Sequence, residues 1–164
     1  MSNYSLTAKY ISNIEKALIS DETFMRLLTY EPEDISEVDP LDESLPNIVD
    51  EDSLDYWKLV EDRIRKGAKR TDIENKSIVL IYIYSGRKRP IFGNKTLAKQ
   101  EIKIDIYAHE SFESDYRIDR ISDRLSSLLM SEIGIAGIGE IQYVGSNARE
   151  APLGYRKQEE IYLF

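Results

Sequence analysis

The sequence predicts a small mixed α/β domain: a largely antiparallel four-stranded sheet with one long helix across a face, preceded by helices and an extended acidic arm. Three observations carry this. In QEIKIDIYAH, Ile102, Ile104, Ile106 and Ala108 fall two apart with Lys103, Asp105 and Tyr107 between them, the alternation of a half-buried strand. In DYRIDRISDRLSSLLMSEI, Ile118, Ile121, Leu125, Leu128 and Leu129 return every three or four residues, so an amphipathic helix follows and needs a sheet to lie on. SIVLIYIY runs seven apolar residues together, rich in β-branched and aromatic side chains, which suits a central strand.

A chain of 164 residues fits a single domain, 1–164, with helices over 1–30, an acidic arm over 31–52, a helix over 53–67 and a strand-strand-helix-strand-strand core over 77–164. Thr7 or Ser5 is positioned to cap the first helix, whose apolar stripe is Ala8, Ile11, Ile14 and Leu18. Asp21 caps a second helix, ETFMRLLTY, that buries Phe24, Leu27 and Leu28, and Pro32 discourages its continuation. Ser53 opens a third, with Asp55 in its first turn, Arg63, Arg65 and Lys66 in its last, and Gly67 to end it. Leu54, Trp57, Val60 and Ile64 follow its period, so the tryptophan reads as a packing anchor.

The net charge of −8 is unevenly spread. Glu31, Glu33, Asp34, Glu37, Asp39, Asp42, Glu43, Asp50, Glu51 and Asp52 stand in a segment with no Lys or Arg, and setting them aside leaves the remainder at +2. Isolated Ile35, Val38, Leu41, Leu45 and Ile48 among three prolines make this segment either an extended arm docking in shallow grooves, on its own domain or a neighbour, or a surface loop. With no cysteine, disulfides and thiolate metal sites are excluded. A polar N-terminus and the lack of a long apolar run point to a soluble, non-exported protein.

GRKRPIFGNKTLAK reads as a long connection between two strands, too long for an ordinary hairpin loop and therefore a candidate contact surface. Arg87, Lys88 and Arg89, with Phe92 beyond, are either a nucleic-acid contact, a solvated hairpin tip or a partner for the acidic arm of another copy. His109 with Glu110, Glu113 and Asp115 has the residue types of a metal or acid–base site, but one histidine without a partner nucleophile favours a solvated strand end beside a helix N-terminus. Gly134, Gly137 and Gly139 follow a helix instead of opening one, which is the wrong context for phosphate binding. Strands over Glu140–Val144 and YRKQEEIYLF close the chain, and joining the two hairpins through the helix predicts parallel inner strands. No catalytic, cofactor or metal residue is assigned.

The order of features resembles the neck and tail-terminator proteins of tailed bacteriophages, particularly those with contractile tails. The likeness lies in helical ETFMRLLTY, the DPL of VDPLDE, IYIYSG, EIKIDIYAH, the loop into YRIDRISDRLSSLL, and a late glycine before a closing strand. It implies a virion structural protein that assembles in the host cytoplasm into a ring, commonly of six copies. The ring sits at the head-proximal end of the tail, contacts the tail tube protein and the head connector or stopper, and lets genomic DNA pass without sequence-specific binding. There is then no reaction to catalyse. A head-completion or stopper protein of the portal complex, a nucleic-acid-binding regulator and a small enzyme are the alternatives. On the ring reading, Glu31, Asp34, Glu37, Asp39, Asp42 and Asp50 on the arm, and Arg87, Lys88, Arg89 and Phe92 on the loop, are the expected interface.

Overall fold

In the computed structural model, which describes residues 4–31, 39–69, 73–131 and 140–164, the class is mixed α/β as expected, with five strands instead of four. Helices α1 (Tyr4–Ile19), α2 (Glu22–Thr29) and α3 (Leu54–Arg63) precede strands β1 (Ile64–Lys66), β2 (Val79–Ile91) and β3 (Asn94–His109). A 3₁₀ turn (Glu110–Asp115), helix α4 (Arg117–Leu129) and strands β4 (Gln142–Arg149) and β5 (Tyr155–Leu163) complete the chain. The sheet order is β1-β2-β3-β5-β4, antiparallel throughout except for β1 against β2.

The alternation in β3 works as read. Ile102, Ile104, Ile106 and Ala108 face the helices together with Val79, Ile81 and Ile83 of β2, their ladder partners or neighbours. Over them pack Ile14 and Leu18 of α1, Phe24, Leu27 and Leu28 of α2, Tyr56 and Val60 of α3, and Ile121, Leu125 and Leu129 of α4. Burying apolar side chains of this size contributes roughly 1.5–3 kcal/mol each, which makes the helix-covered face the main source of cohesion.

Several expectations are corrected. α1 begins at Tyr4, so Ser5 and Thr7 lie within the helix and cannot cap it, and Ala8 is exposed. The helix expected over 53–67 stops at Arg63, because Ile64 turns extended to pair beside Ile81 and becomes the fifth strand. Its buried side is Tyr56 and Val60; Leu54 is 78% exposed and Trp57 39% exposed, the indole N–H donating to the Glu51 carbonyl at 2.8 Å. The stripe was offset because Tyr56 reaches inward to donate its hydroxyl to the Ile19 carbonyl.

The inner strands are not parallel. β5 lies between β3 and β4 and pairs antiparallel with both. Burial explains the swap: β5 contributes Tyr155, Glu159, Glu160 and Tyr162 to the interior, whereas β4 is almost wholly exposed and suits an edge. The glycines Gly134, Gly137 and Gly139 lie outside the described residues.

Asp21 caps α2 as expected, accepting from the Phe24 N–H at 2.7 Å, and its carboxylate also accepts from Arg124 Nε of α4 at 2.9 Å. At the other end of α2, Arg117 is fully buried; its Nη1 donates to the carbonyls of Leu27 at 2.6 Å and Tyr30 at 2.7 Å. Its Nε and Nη2 donate to Asp115 at 3.0 and 2.6 Å, and the guanidinium lies 4.7 Å from the Phe112 ring centroid. One side chain thus satisfies carbonyls that a helix end leaves unpaired and complements the dipole there. Replacing Arg117 with Met strands those carbonyls and Asp115, and urea unfolding should show a loss of about 3–5 kcal/mol; a change below about 1 kcal/mol would remove this anchoring role.

Candidate functional site

The region first read as a long loop between strands is a β-ribbon. β2 and β3 continue pairing past the sheet body, with Lys88 opposite Gln100, Arg89 opposite Lys99, Pro90 opposite Ala98 and Ile91 opposite Asn94. Only Phe92 and Gly93 form the turn, and Gly93 takes φ +79°, a conformation that favours glycine. Pro90 is tolerated because β1 covers β2 only from Ile81 to Ile83, leaving the distal edge without a neighbour that would need its N–H. The register shifts between Ser85 and Lys88. There Gly86 sits so close to the facing strand that a Cβ would lie 2.8 Å from Glu101 Cβ.

Glu101 holds this ribbon to the body. It is 2% exposed, accepts from the Arg87 N–H at 3.1 Å and from Arg89 Nε at 2.6 Å. Burial pushes its carboxyl up, but these donors outweigh burial and leave it below the usual value. Of the three basic residues, Arg89 is therefore engaged with Glu101, while Arg87 and Lys88 are exposed. Phe92 is fully exposed at the tip and Ile91 partly so.

The acidic residues lie elsewhere. Asp34 and Glu37 fall outside the described residues, and Glu31 is exposed just past α2. Asp39 pairs with Arg120 of α4 at 2.7 Å, and that hydrogen bond, with one from the Leu41 N–H, lowers its carboxyl. Asp42 accepts from Ser44, which lowers it likewise. Asp50 accepts from the Asp52 N–H at 3.2 Å. The described part of this segment, 39–52, lies on its own domain. Arg26 donates to the carbonyls of Asp42 at 2.7 Å and Leu45 at 2.8 Å, Tyr30 donates to that of Pro46, and Ile48 and Val49 pack on the core. Among the described residues, the two sets of candidate residues are not brought together within one chain.

His109 is a structural residue. Its Nδ1 accepts from the Ser111 N–H at 3.2 Å, Nε2 lies 2.9 Å from Asn75 Oδ1, and the ring packs edge-on against Tyr155. With Nδ1 accepting, the proton belongs on Nε2, donating to Asn75. Among the described residues no group of three or more His, Asp or Glu is placed to hold a metal ion.

Two features were not foreseen. The sheet face opposite the helices carries a charged lattice: Asp105 of β3 stands directly opposite Glu159 of β5, both at most 5% exposed. Like charges facing each other are destabilising. Lys157 pairs with Asp105 at 2.8 Å, and Lys103 at 3.0 Å and Arg149 at 2.8 Å pair with Glu159. Tyr84 also donates to Asp105 at 3.1 Å. Burial raises the Glu159 carboxyl, yet Arg149 and Lys103 hold it below its usual value. The alternation of β3 marked this face as polar, but the cross-strand partners come from register and have no signature in one strand alone. The second feature is a cavity of about 410 Å³ between α3, β1 and residues 73–78, rimmed by Asp62 and Glu74 and by Arg63, Arg65 and Lys76. Mixed signs around an open rim give it no single ligand charge.

Because the Glu159 carboxyl is lowered on folding, its contribution is complete above the ordinary Glu value of 4.5 and is lost as pH falls through the folded value. Glu159→Gln should be about 1–3 kcal/mol less stable at pH 7 and should lose less further stability on acidification; parallel stability curves for the two proteins would disprove the linkage.

Residues 21–158 match the model of the family described as YomW. The chain is 29% identical over 165 residues to the SPbeta prophage-derived uncharacterized protein YomW of Bacillus subtilis (strain 168), covering 98% of this chain and 97% of that one. The match runs from α2 into the first half of β5, taking in strands β1 to β4 and helices α2 to α4. The chain belongs to the YomW family, which includes a prophage-derived protein.

Proposed function

We propose that this protein is a structural subunit of the phage neck: a ring-forming tail terminator that caps the tail tube and joins the tail to the head connector. The observation that carries this reading is the β2–β3 ribbon, which projects beyond the sheet and ends in an exposed Phe92. Ile91 and Phe92 together present apolar surface at the end of a projecting ribbon, which supports a partner contact there. The prophage-derived relative, matched over nearly the full length of both chains, supports placing that partner in a phage particle. In this role the protein catalyses no reaction and takes no cofactor or metal; it works in the virion after assembly in the host cytoplasm, and its partners are further copies, the tail tube protein and the head connector. Loss of a terminator should give overlong tails, whereas loss of a head-completion or stopper protein should give full-length tails and leaking heads. Electron microscopy of particles made without the protein separates these, and normal particles would overturn both.

Nucleic-acid binding is a second reading, favoured by exposed Arg87 and Lys88 on the same projecting ribbon as Phe92. It requires the isolated protein to bind DNA with an affinity that falls steeply with salt. On the terminator reading, binding is weak, and replacing Arg87 and Lys88 with Ala impairs joining while leaving the thermal midpoint unchanged.

A further inference from the structure

The ends of β3 are chemically opposite. At one end, the ribbon presents Arg87, Lys88, Ile91 and Phe92. At the other, β3 runs into the 3₁₀ turn and the start of α4, where Glu110, Glu113 and Asp119 are exposed and the Asp39–Arg120 pair brings the acidic segment alongside. Arg156, the exposed cation there, already faces Glu113 at 3.5 Å. Tyr116, 72% exposed, takes φ 56° between turn and helix, and beside it opens a shallow cleft of about 120 Å³ lined by Ala108, Phe112, Arg117 and Ile118, with Glu113, Asp119 and Arg156 at its rim.

A basic arm with an aromatic tip and a cleft set among exposed Glu110, Glu113 and Asp119, with Arg156 as the exposed counter-charge, are complementary in charge. They cannot meet within one chain. The 16 residues of β3 connect them, and an extended strand of that length spans roughly 50 Å. We propose that Phe92 of one copy seats in the cleft between Tyr116 and Ile118 of the next, with Arg87 and Lys88 against Glu113 and Asp119. This deepens the ring reading and rests on it. The contact joins two different patches, so it propagates head to tail and closes a ring when the rotation per copy permits.

The test uses the full-length chain, with assembly followed by native mass spectrometry and light scattering over a range of concentrations. Phe92→Ser and the pair Arg87→Glu with Lys88→Glu change exposed residues and should leave the thermal midpoint unaltered; the pair Glu113→Lys with Asp119→Lys also gives up the Arg156 ion pair and the first-turn acid of α4, so its thermal midpoint is measured before its assembly is read. Each should raise the concentration needed for assembly roughly tenfold or more. Combining all four charge reversals in one chain should restore assembly, as should mixing the two pair variants. Because the protein has no cysteine, Phe92→Cys together with Tyr116→Cys should give an intermolecular disulfide ladder under oxidation. If the wild type assembles, the variants assemble equally and no ladder forms, the docking is wrong while the ring stands. A wild type that remains monomeric at every concentration overturns the docking and a self-assembling ring with it.

Discussion

Arg117 is the contact on which the arrangement of helices depends. A guanidinium with no exposure must have its donors paired, and here Nη1 goes to two carbonyls at the end of α2 while Nε and Nη2 go to Asp115. These partners come from segments about ninety residues apart in sequence. The charge therefore fixes the angle at which α2 meets α4, a specification that apolar packing alone leaves loose. Asp21 and Arg124 act at the opposite end of α2, so the helix is held to α4 by a guanidinium at each terminus, one bonded to carbonyls and one to a carboxylate. Between them, Phe24, Leu27 and Leu28 supply the cohesion.

The sheet inverts the usual division of labour. Its helix-covered face is largely apolar but carries Glu160, which is fully buried and accepts from Ser122, Ser146, Gln158 and Tyr143, with no cation paired to it among the described residues. The opposite face buries charge under its own long side chains, with Lys and Arg stems covering the carboxylates they neutralise. Such a lattice favours one strand register strongly: a slip of one residue would turn Asp105 and Glu159 into the core and Ile104 and Ile106 out of it.

Much of the fold was legible because period and capping are local. The Asp21 cap, the apolar stripe of α2, the β3 alternation and the face of α4 need only their own segments. Trp57 misled because helical spacing fixes a stripe only to within a residue, and Tyr56 won by finding the Ile19 carbonyl. The β2–β3 ribbon was hidden by its own composition: Arg-Lys-Arg and Pro90 read as loop, while Glu101, the residue that converts them into strand, lies across the hairpin. The place of β5 between β3 and β4 was not local either, being decided by which strand had enough buried side chains to occupy the interior. The proposed contact residues stand out in the sequence by type alone, whereas the separation of the ribbon from the described acidic residues follows from topology.

Strand β3 also acts as a ruler. It carries the tip of the ribbon at one end and the start of the 3₁₀ turn at the other, and over Glu101–His109 it pairs with β5 without a register shift, so within that stretch a change in length has nowhere to be absorbed. Adding or removing one residue would rotate everything beyond it to the other face, whereas two residues would preserve facing and move the ends by roughly 7 Å. The distance between the molecule's two poles is thus quantised in dipeptide steps. Among relatives with this topology, length variation in the strand should come in even numbers, and the size of whatever they build should change with it in discrete increments.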